Sequence, residues 1–382
     1  MYLLTVDDFA AMYGSGEWGM RAFQMFKADD PLLTTTTGVY APHYGSKIWA
    51  QVNLEMNPFG VIPKVPWGPE DGWTVATAFP TNLVEAPAEN GAIPDTDKPD
   101  FVKLYDKPRN EVTPFNASEI EILSARRGQA VKWQDLVEFE GQIHKLGLSD
   151  RLCRDNGTAV GNHIYGIDHI CSSNSEIASC TQYDGNAYTA DDADVYGLNR
   201  DAGVAAWHDA NVLHASAVLR PFSLSLVNDL ERTVAQRCGV WDSNEQFWLT
   251  GPDTYQVWYE KLQSQQRFME ATFEVAAFNG IKTVSGTHGG FRLATYHGKP
   301  IIVSHQLEDY CKPTGGITNV YLLNTKYLKL WVDVPTIYQE VGVAQGNELL
   351  YGKLGEEGMY RTVGQLICNG FFAQGKLRDL SE

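Results

Sequence analysis

The stretch FWLTGPDTYQVWYEKLQSQQRF, Phe247–Phe268, changes its periodicity in the middle. Phe247, Trp248 and Leu249 form a short apolar run of the kind that fills a buried strand. Gly251 and Pro252 break the run, and Tyr255, Tyr259 and Leu262, with Trp258, then recur at helical spacing on the expected buried side. Proline suits the first helical turn, where its missing N–H has no partner to lose. A helix opening at a glycine turn can also hold phosphate. A phosphate cradle needs several glycines and usually a Lys-Ser/Thr pair, and this turn has neither. The turn reads as architecture, with no ligand expected.

More α/β pieces flank it. A helix after Pro221 carries Leu226, Leu230, Val234 and Cys238 along one face and stops at Gly239, as a glycine just past a helix end does. Strands are expected at Phe291–Tyr296, Ile301–Ser304 and Asn319–Leu323, making Ala205–Asn324 one α/β unit. Two β runs follow, Tyr327–Val332 and Thr336–Val341. A glycine-rich loop then crosses from Gly342 to Gly358 and leads to a last strand, Arg361–Asn369.

Towards the N-terminus, Ser118 and Glu121 form a capping-box pair. The helix they open carries Ile122, Leu123, Ala130, Trp133, Val137 and Ile143 near helical spacing and should reach about His144. At 1.5 Å per residue it would be about 40 Å long, a spine rather than one small core's helix. Before it, Val61–Pro114 holds nine prolines, which exclude helix interior. Thr74–Thr77 and Phe101–Tyr105 are its strand-like pieces, so it reads as a two-stranded ribbon. Such a ribbon is marginal alone in water and needs a covering partner. Residues up to about Gly60, with Trp18, Phe23, Phe26 and Trp49, read as an arm whose aromatics need other surfaces.

At 382 residues the chain implies two or three compact units. Its 47 acids against 30 bases give a formal charge of −17, which on average repels nucleic acid and anionic membranes. Arg126-Arg127 is the one basic doublet. No membrane span or signal peptide is expected. The six cysteines form no CxxC pair and read as reduced thiols.

Candidate chemistry is thin. Ser285–Gly290, with His288, is similar to an esterase oxyanion loop, but no GxSxG elbow accompanies it. His163, His169, Cys171 and Cys180 are the densest metal-type set, yet their spacing is not that of a structural zinc site. Asp191, Asp192 and Asp194 lack the glycine and glutamate of a calcium loop. His208, Asp209 and His214 have no nucleophile tied to them by sequence. No enzymatic activity, cofactor or metal is expected.

The ordered set VYGLNRD, VAAWHDA, FWLTGPDTYQVWYEKLQSQQRF, FNGIKTV, GKPIIVSHQL, VYLLNTKYLKLWVDVPTIY and MYRTVGQLICNGFFAQGKLRDL resembles the major capsid proteins of tailed bacterial and archaeal viruses. The resemblance runs from about Gly197 to Leu380 and is strongest at Lys299–Gln306, Val320–Leu328 and Gly364–Leu380. It implies an α+β chain with the HK97-type fold. Its parts would be an N-terminal arm (1–60), an extended β-hairpin E-loop (61–115) and a P domain with a long spine helix (116–204). An α/β A domain (205–324), P-domain return strands and P-loop (325–362) and a C-terminal strand closing the A domain (363–382) would follow.

The implied function is self-assembly as pentamers and hexamers into an icosahedral shell around double-stranded DNA, in a virion capsid assembled in the host cytoplasm. Implied partners are further copies of the chain, a portal protein, separate scaffolding and decoration proteins, and packaged DNA through weak non-specific contact. Expected inter-subunit contacts are Trp67, Trp73, Lys103 and Arg109 of the ribbon, Arg126 and Arg127 of the helix, and Glu356 and Glu357 of the glycine loop. An encapsulin-type shell around an enzyme cargo is the alternative; the long ribbon favours the virus. A hydrolase using His288 is a third reading, weakened by the missing elbow.

Overall fold

The structure, a computed structural model, describes residues 57–68, 72–78, 99–118, 121–122, 133–154, 163–183, 185–200, 206–239, 245–263, 295–342 and 355–382. Most of the expected arm, residues 79–98 of the ribbon, Arg126, Arg127 and the His288 segment lie outside the described residues.

The chain opens with helix α1 (Asn57–Val61) and strands β1 (Lys64–Pro66), β2 (Gly72–Ala78), β3 (Asp100–Tyr105) and β4 (Arg109–Ser118). Helices α2 (Trp133–Cys153), α3 (Ile167–Ile170), α4 (Asn174–Ser179) and α5 (Ala190–Ala193) follow. Strands β5 (Asp194–Val195), β6 (Leu198–Asn199), β7 (Asn211–Leu213) and β8 (Arg220–Pro221) lead to α6 (Leu224–Cys238), β9 (Gln246–Thr250) and α7 (Pro252–Gln263). Then come β10 (Thr295–Tyr296), β11 (Lys299–Val303), α8 (His305–Tyr310) and β12 (Val320–Asn324). The chain closes through β13 (Leu328–Gly342), β14 (Gly355–Cys368), β15 (Gly375–Leu377) and β16 (Leu380–Ser381).

Two sheets carry the architecture, in the orders β1-β13-β14-β4 and β10-β11-β9-β12-β15-β7. Strands β9 and β12 are buried along their whole length, because the six-stranded sheet is covered on both faces. On one face Trp248, Val320 and Leu322 meet Val227, Leu230 and Val234 of α6 and Trp258 of α7. Trp248 and Trp258 pack edge to face at 5.4 Å; truncating either would cost about 3–5 kcal/mol. On the other face Phe247, Leu249, Tyr321 and Leu323 enter a larger core that continues through Leu328, Leu330 and Leu366 of the four-stranded sheet. The two sheets thus share one core.

Helix α2 lies on the four-stranded sheet. His144 bridges two strands, with Nδ1 2.9 Å from Thr113 Oγ1 and Nε2 2.8 Å from Thr362 Oγ1. Tyr360 donates its hydroxyl to the Val137 carbonyl at 2.9 Å, and Phe115 packs on Trp133 at 5.3 Å. The capping box forms: the Ser118 N–H donates to Glu121 Oε2 at 2.8 Å, and the Glu121 N–H to Ser118 Oγ at 3.4 Å. Of the helix expected from Ser118 to about His144, residues 123–132 lie outside the described residues; its later part, α2, runs on to Cys153, because Leu148 and Leu152 continue its buried face past Gly147.

Other expectations are corrected. The two β runs after Tyr327 are one strand, β13, with register shifts at Val332/Val334 and Val334/Ile337. Pro335 falls in the second irregularity, where a missing N–H costs the ladder nothing. Residues 363–368, expected to close the α/β unit, continue β14 in the four-stranded sheet, and the chain enters the six-stranded one only at β15. On α7 the buried side is Thr254, Val257 and Trp258, whereas Tyr259 is 45% exposed.

The Gly251 turn binds its own chain. A Cβ on Gly251 would lie 2.5 Å from Thr318 Oγ1, so only glycine permits this approach. Asp253 fills the helix opening, accepting the Thr254 N–H at 2.7 Å and the Thr318 N–H at 2.9 Å.

Candidate assembly surface

Strands β2 and β3 pair antiparallel, with Trp73 opposite Leu104 and Val75 opposite Val102. Period-two alternation sends Leu104 inward, where Trp73 and Val75 pack against the main core. It sends Phe101, Lys103 and Tyr105 outward. Phe101 and Tyr105 are 62% and 60% exposed, with Lys103 between them. Two largely exposed aromatic rings in one row, the Tyr105 ring leaning on Gly197 of its own chain, are a surface suited to a partner. Strand β4 adds Val112, also exposed, on the edge strand of the four-stranded sheet.

The residues expected at subunit contacts are distributed unevenly about this surface. Lys103 lies in the outward row. Trp67 and Trp73 point into their own chain's core, packing on Trp331 at 5.7 and 6.2 Å, and Trp73 also meets Tyr196 at 5.0 Å. Their indole N–H groups find no acceptor among the described residues. Arg109 donates to the His163 carbonyl at 3.0 Å and lies over the Tyr165 ring, tied to its own chain. Glu356 and Glu357 stand on strand β14, opposite Ala117 and Asn116 of β4, rather than in a loop. Ladder bonds to β4 and β13 extend the strand back to Gly355. Arg126 and Arg127 lie outside the described residues. Phe101 and Tyr105 were the missed surface residues, and the alternation FVKLY was their signal.

No family model and no curated protein matches the sequence. Solved structures do. A chain of the cyanophage A-1(L) capsid asymmetric unit superposes with a TM-score of 0.61 at 13% identity, covering 92% of this chain and 100% of that one. The capsid of a native GTA particle gives 0.57 at 11% identity, covering 93% and 100%. A Gordonia phage Cozz chain gives 0.50 at 13% identity, covering 91% and 93%. The chain has the HK97-type capsid fold.

Within this capsid fold the C-terminal segment GKLRDL carries an unforeseen charge network. Lys376 and Arg378 are fully buried. Lys376 Nζ lies 2.6 Å from both Asp168 Oδ1 and Glu176 Oε1, and Arg378 reaches Glu176 Oε1 at 2.5 Å and Asp379 Oδ1 at 3.0 Å. Tyr183 and Tyr321 donate to Asp168, and Ser172 to Glu176. Burial pushes the Glu176 carboxyl up, but Lys376 and Arg378 outweigh it and hold it down at about 2. A period-two pair of basic residues reads in sequence as a solvated face; here it pins α3 and α4 to the last strands.

The metal-type and catalytic candidates separate. His163 pairs with Glu111 at 2.9 Å, and His169 Nε2 meets the Asp194 carbonyl at 3.0 Å. Burial, then the nearby Arg200 charge, drives His169 down to about 3 and His208 equally far. His208 packs on Phe371 at 4.7 Å. Asp209 accepts the Asn174 N–H at 3.1 Å. All six cysteines are free thiols. Cys180 leaves the His163 group and joins His214, 34 residues away in sequence.

Proposed function

We propose that this chain is a major capsid protein, assembling as pentamers and hexamers into an icosahedral shell around viral double-stranded DNA. The observation that carries the reading is the match of 92% of this chain to the whole of a phage capsid chain. The outward row Phe101–Lys103–Tyr105 supports it, because exposed aromatics on a thin hairpin are stabilised when a neighbouring copy covers them. In this reading the hairpin is the E-loop, α2 the spine of the P domain, and the six-stranded sheet the A domain. Most of the arm and the P-loop crossing would complete the contacts. Portal, scaffolding and decoration proteins would be partners, with assembly in the host cytoplasm. The charge of −17 suits a wall that touches DNA weakly and is not held by it.

The test is the variant Phe101→Ser, because the Tyr105 ring also packs on Gly197 of its own chain. Exposed positions of this kind change monomer stability by less than about 0.5 kcal/mol. The account therefore expects an unchanged melting temperature for the unassembled chain and loss of large particles on sizing columns. Particles formed at the parental yield would count against the hairpin as an assembly contact. Shells recovered from producing cells should hold DNA; an enzyme cargo in its place would move the reading to an encapsulin.

A further inference from the structure

Among the described residues, three metal-type ligands from separate segments meet at one point: Cys180 after α4, His214 after β7 and Asp379 between β15 and β16. Cys180 Sγ lies 3.5 Å from His214 Nδ1 and 4.0 Å from Asp379 Oδ2. Zinc bonds sulfur at about 2.3 Å and nitrogen or oxygen at about 2.0–2.1 Å, so tetrahedral ligand atoms stand about 3.3–3.6 Å apart. The sulfur–nitrogen pair already has that spacing, the sulfur–carboxylate pair is about half an ångström longer, and all three atoms lie within 4.8 Å of one another. We propose that Cys180, His214 and Asp379 form a site for a zinc-class divalent cation, with water as the fourth ligand.

Hydrogen bonds from neighbouring residues hold the ligand side chains in place, and a cation would exchange the weakest of them for its own bonds. His214 Nε2 lies 3.2 Å from Ser175 Oγ; donating its proton there makes Nδ1 an acceptor, which takes the Ser216 N–H at 3.3 Å, a bond a cation would displace. Asp379 Oδ1 is fixed by Arg378 Nε at 3.0 Å. Asp379 Oδ2 accepts the N–H groups of Ala215 at 2.8 Å and Ala217 at 3.2 Å, and the longer of these bonds is the one a cation would displace. One thiolate and one carboxylate balance a divalent charge, and a borderline-soft cation is the class that takes sulfur, imidazole and carboxylate together. His214 is partly exposed, which gives solvent and cation a way in. Binding expels the Cys180 thiol proton, so affinity rises with pH. The cation would staple the turn after β7, with its exposed Val218, to the C-terminal segment. This site does not depend on the shell reading.

The test uses the full-length chain, stripped of metal by a chelator, reloaded with one equivalent of zinc or cobalt(II), and desalted. The expected result is one bound metal per chain by elemental analysis, and a cobalt–thiolate charge-transfer band. Cys180→Ser and His214→Gln should each weaken zinc binding at least tenfold, and the first should abolish the band, with circular dichroism unchanged. The alternative is a bare thiol–imidazole hydrogen bond. Failure of the parental chain to retain metal, or parental affinity in either variant, would overturn the proposal.

Discussion

Lys376 shows how one buried charge governs its neighbourhood. Its ammonium group lies against two carboxylates in a site closed to water. Lys376→Met keeps the volume of the stem but strands Asp168 and Glu176 with one fewer cation. Breaking a buried pair on one side costs about 3–5 kcal/mol. The unfolding midpoint in denaturant should therefore drop sharply, while Lys326→Met, at an exposed site, leaves it unchanged. The buried histidines add a pH dependence. His169 and His208 stay neutral in the fold down to about pH 3, whereas in the unfolded chain they protonate near 6.5. The unfolded state then binds more protons, so their contribution is complete above about pH 6.5 and is lost as pH falls below it. Together they predict a loss of roughly 2.4 kcal/mol between pH 6 and 5, measured by denaturant titration. Glu176 acts lower: its contribution is present above about pH 4.5 and is lost on the way down to about 2. A flat profile from pH 7 to 5 would contradict the assignment of neutral buried histidines.

At the scale of elements, legibility followed the pattern each element leaves in the chain. Strand β9, the Gly251 turn and α7 were readable because an apolar run, a Gly-Pro break and a 3.6-residue period are local signals. The Ser118–Glu121 capping box was equally local and forms as written. The ribbon was legible as two strands, and its prolines excluded the alternatives. What escaped depends on contacts distant in sequence. The extension of α2 past Gly147 rests on Leu148 and Leu152 meeting the core, and the joining of two β runs into β13 rests on antiparallel pairing with β14, distant in sequence. Trp258 is buried as expected, but Tyr259 turns outward, because a helical phase inferred from aromatics alone can err by one position. Cys180, His214 and Asp379 carry no spacing motif and become neighbours only when α4, β7 and the C-terminal segment converge. The Gly251 turn offers a direct check. Gly251→Ala places a methyl against Thr318 and should destabilise the fold by about 1–3 kcal/mol, read as a lower melting temperature. An unchanged melting temperature would mean the turn is looser than its geometry.

For the whole molecule, one continuous core links the two sheets, so each subunit would move as a unit in an assembly. Among the described residues, the large exposed hydrophobics lie on the hairpin row, the edge of β4, the turn after β7 and, as Tyr259, on α7. In the proposed shell, copies of the chain would cover these surfaces. Negative-stain electron microscopy of the purified chain, alone and co-expressed with the scaffolding protein that the proposal calls for, tests self-assembly most directly. The account predicts closed shells, tubes, or free pentamers and hexamers. A monodisperse monomer or dimer under both conditions would contradict it.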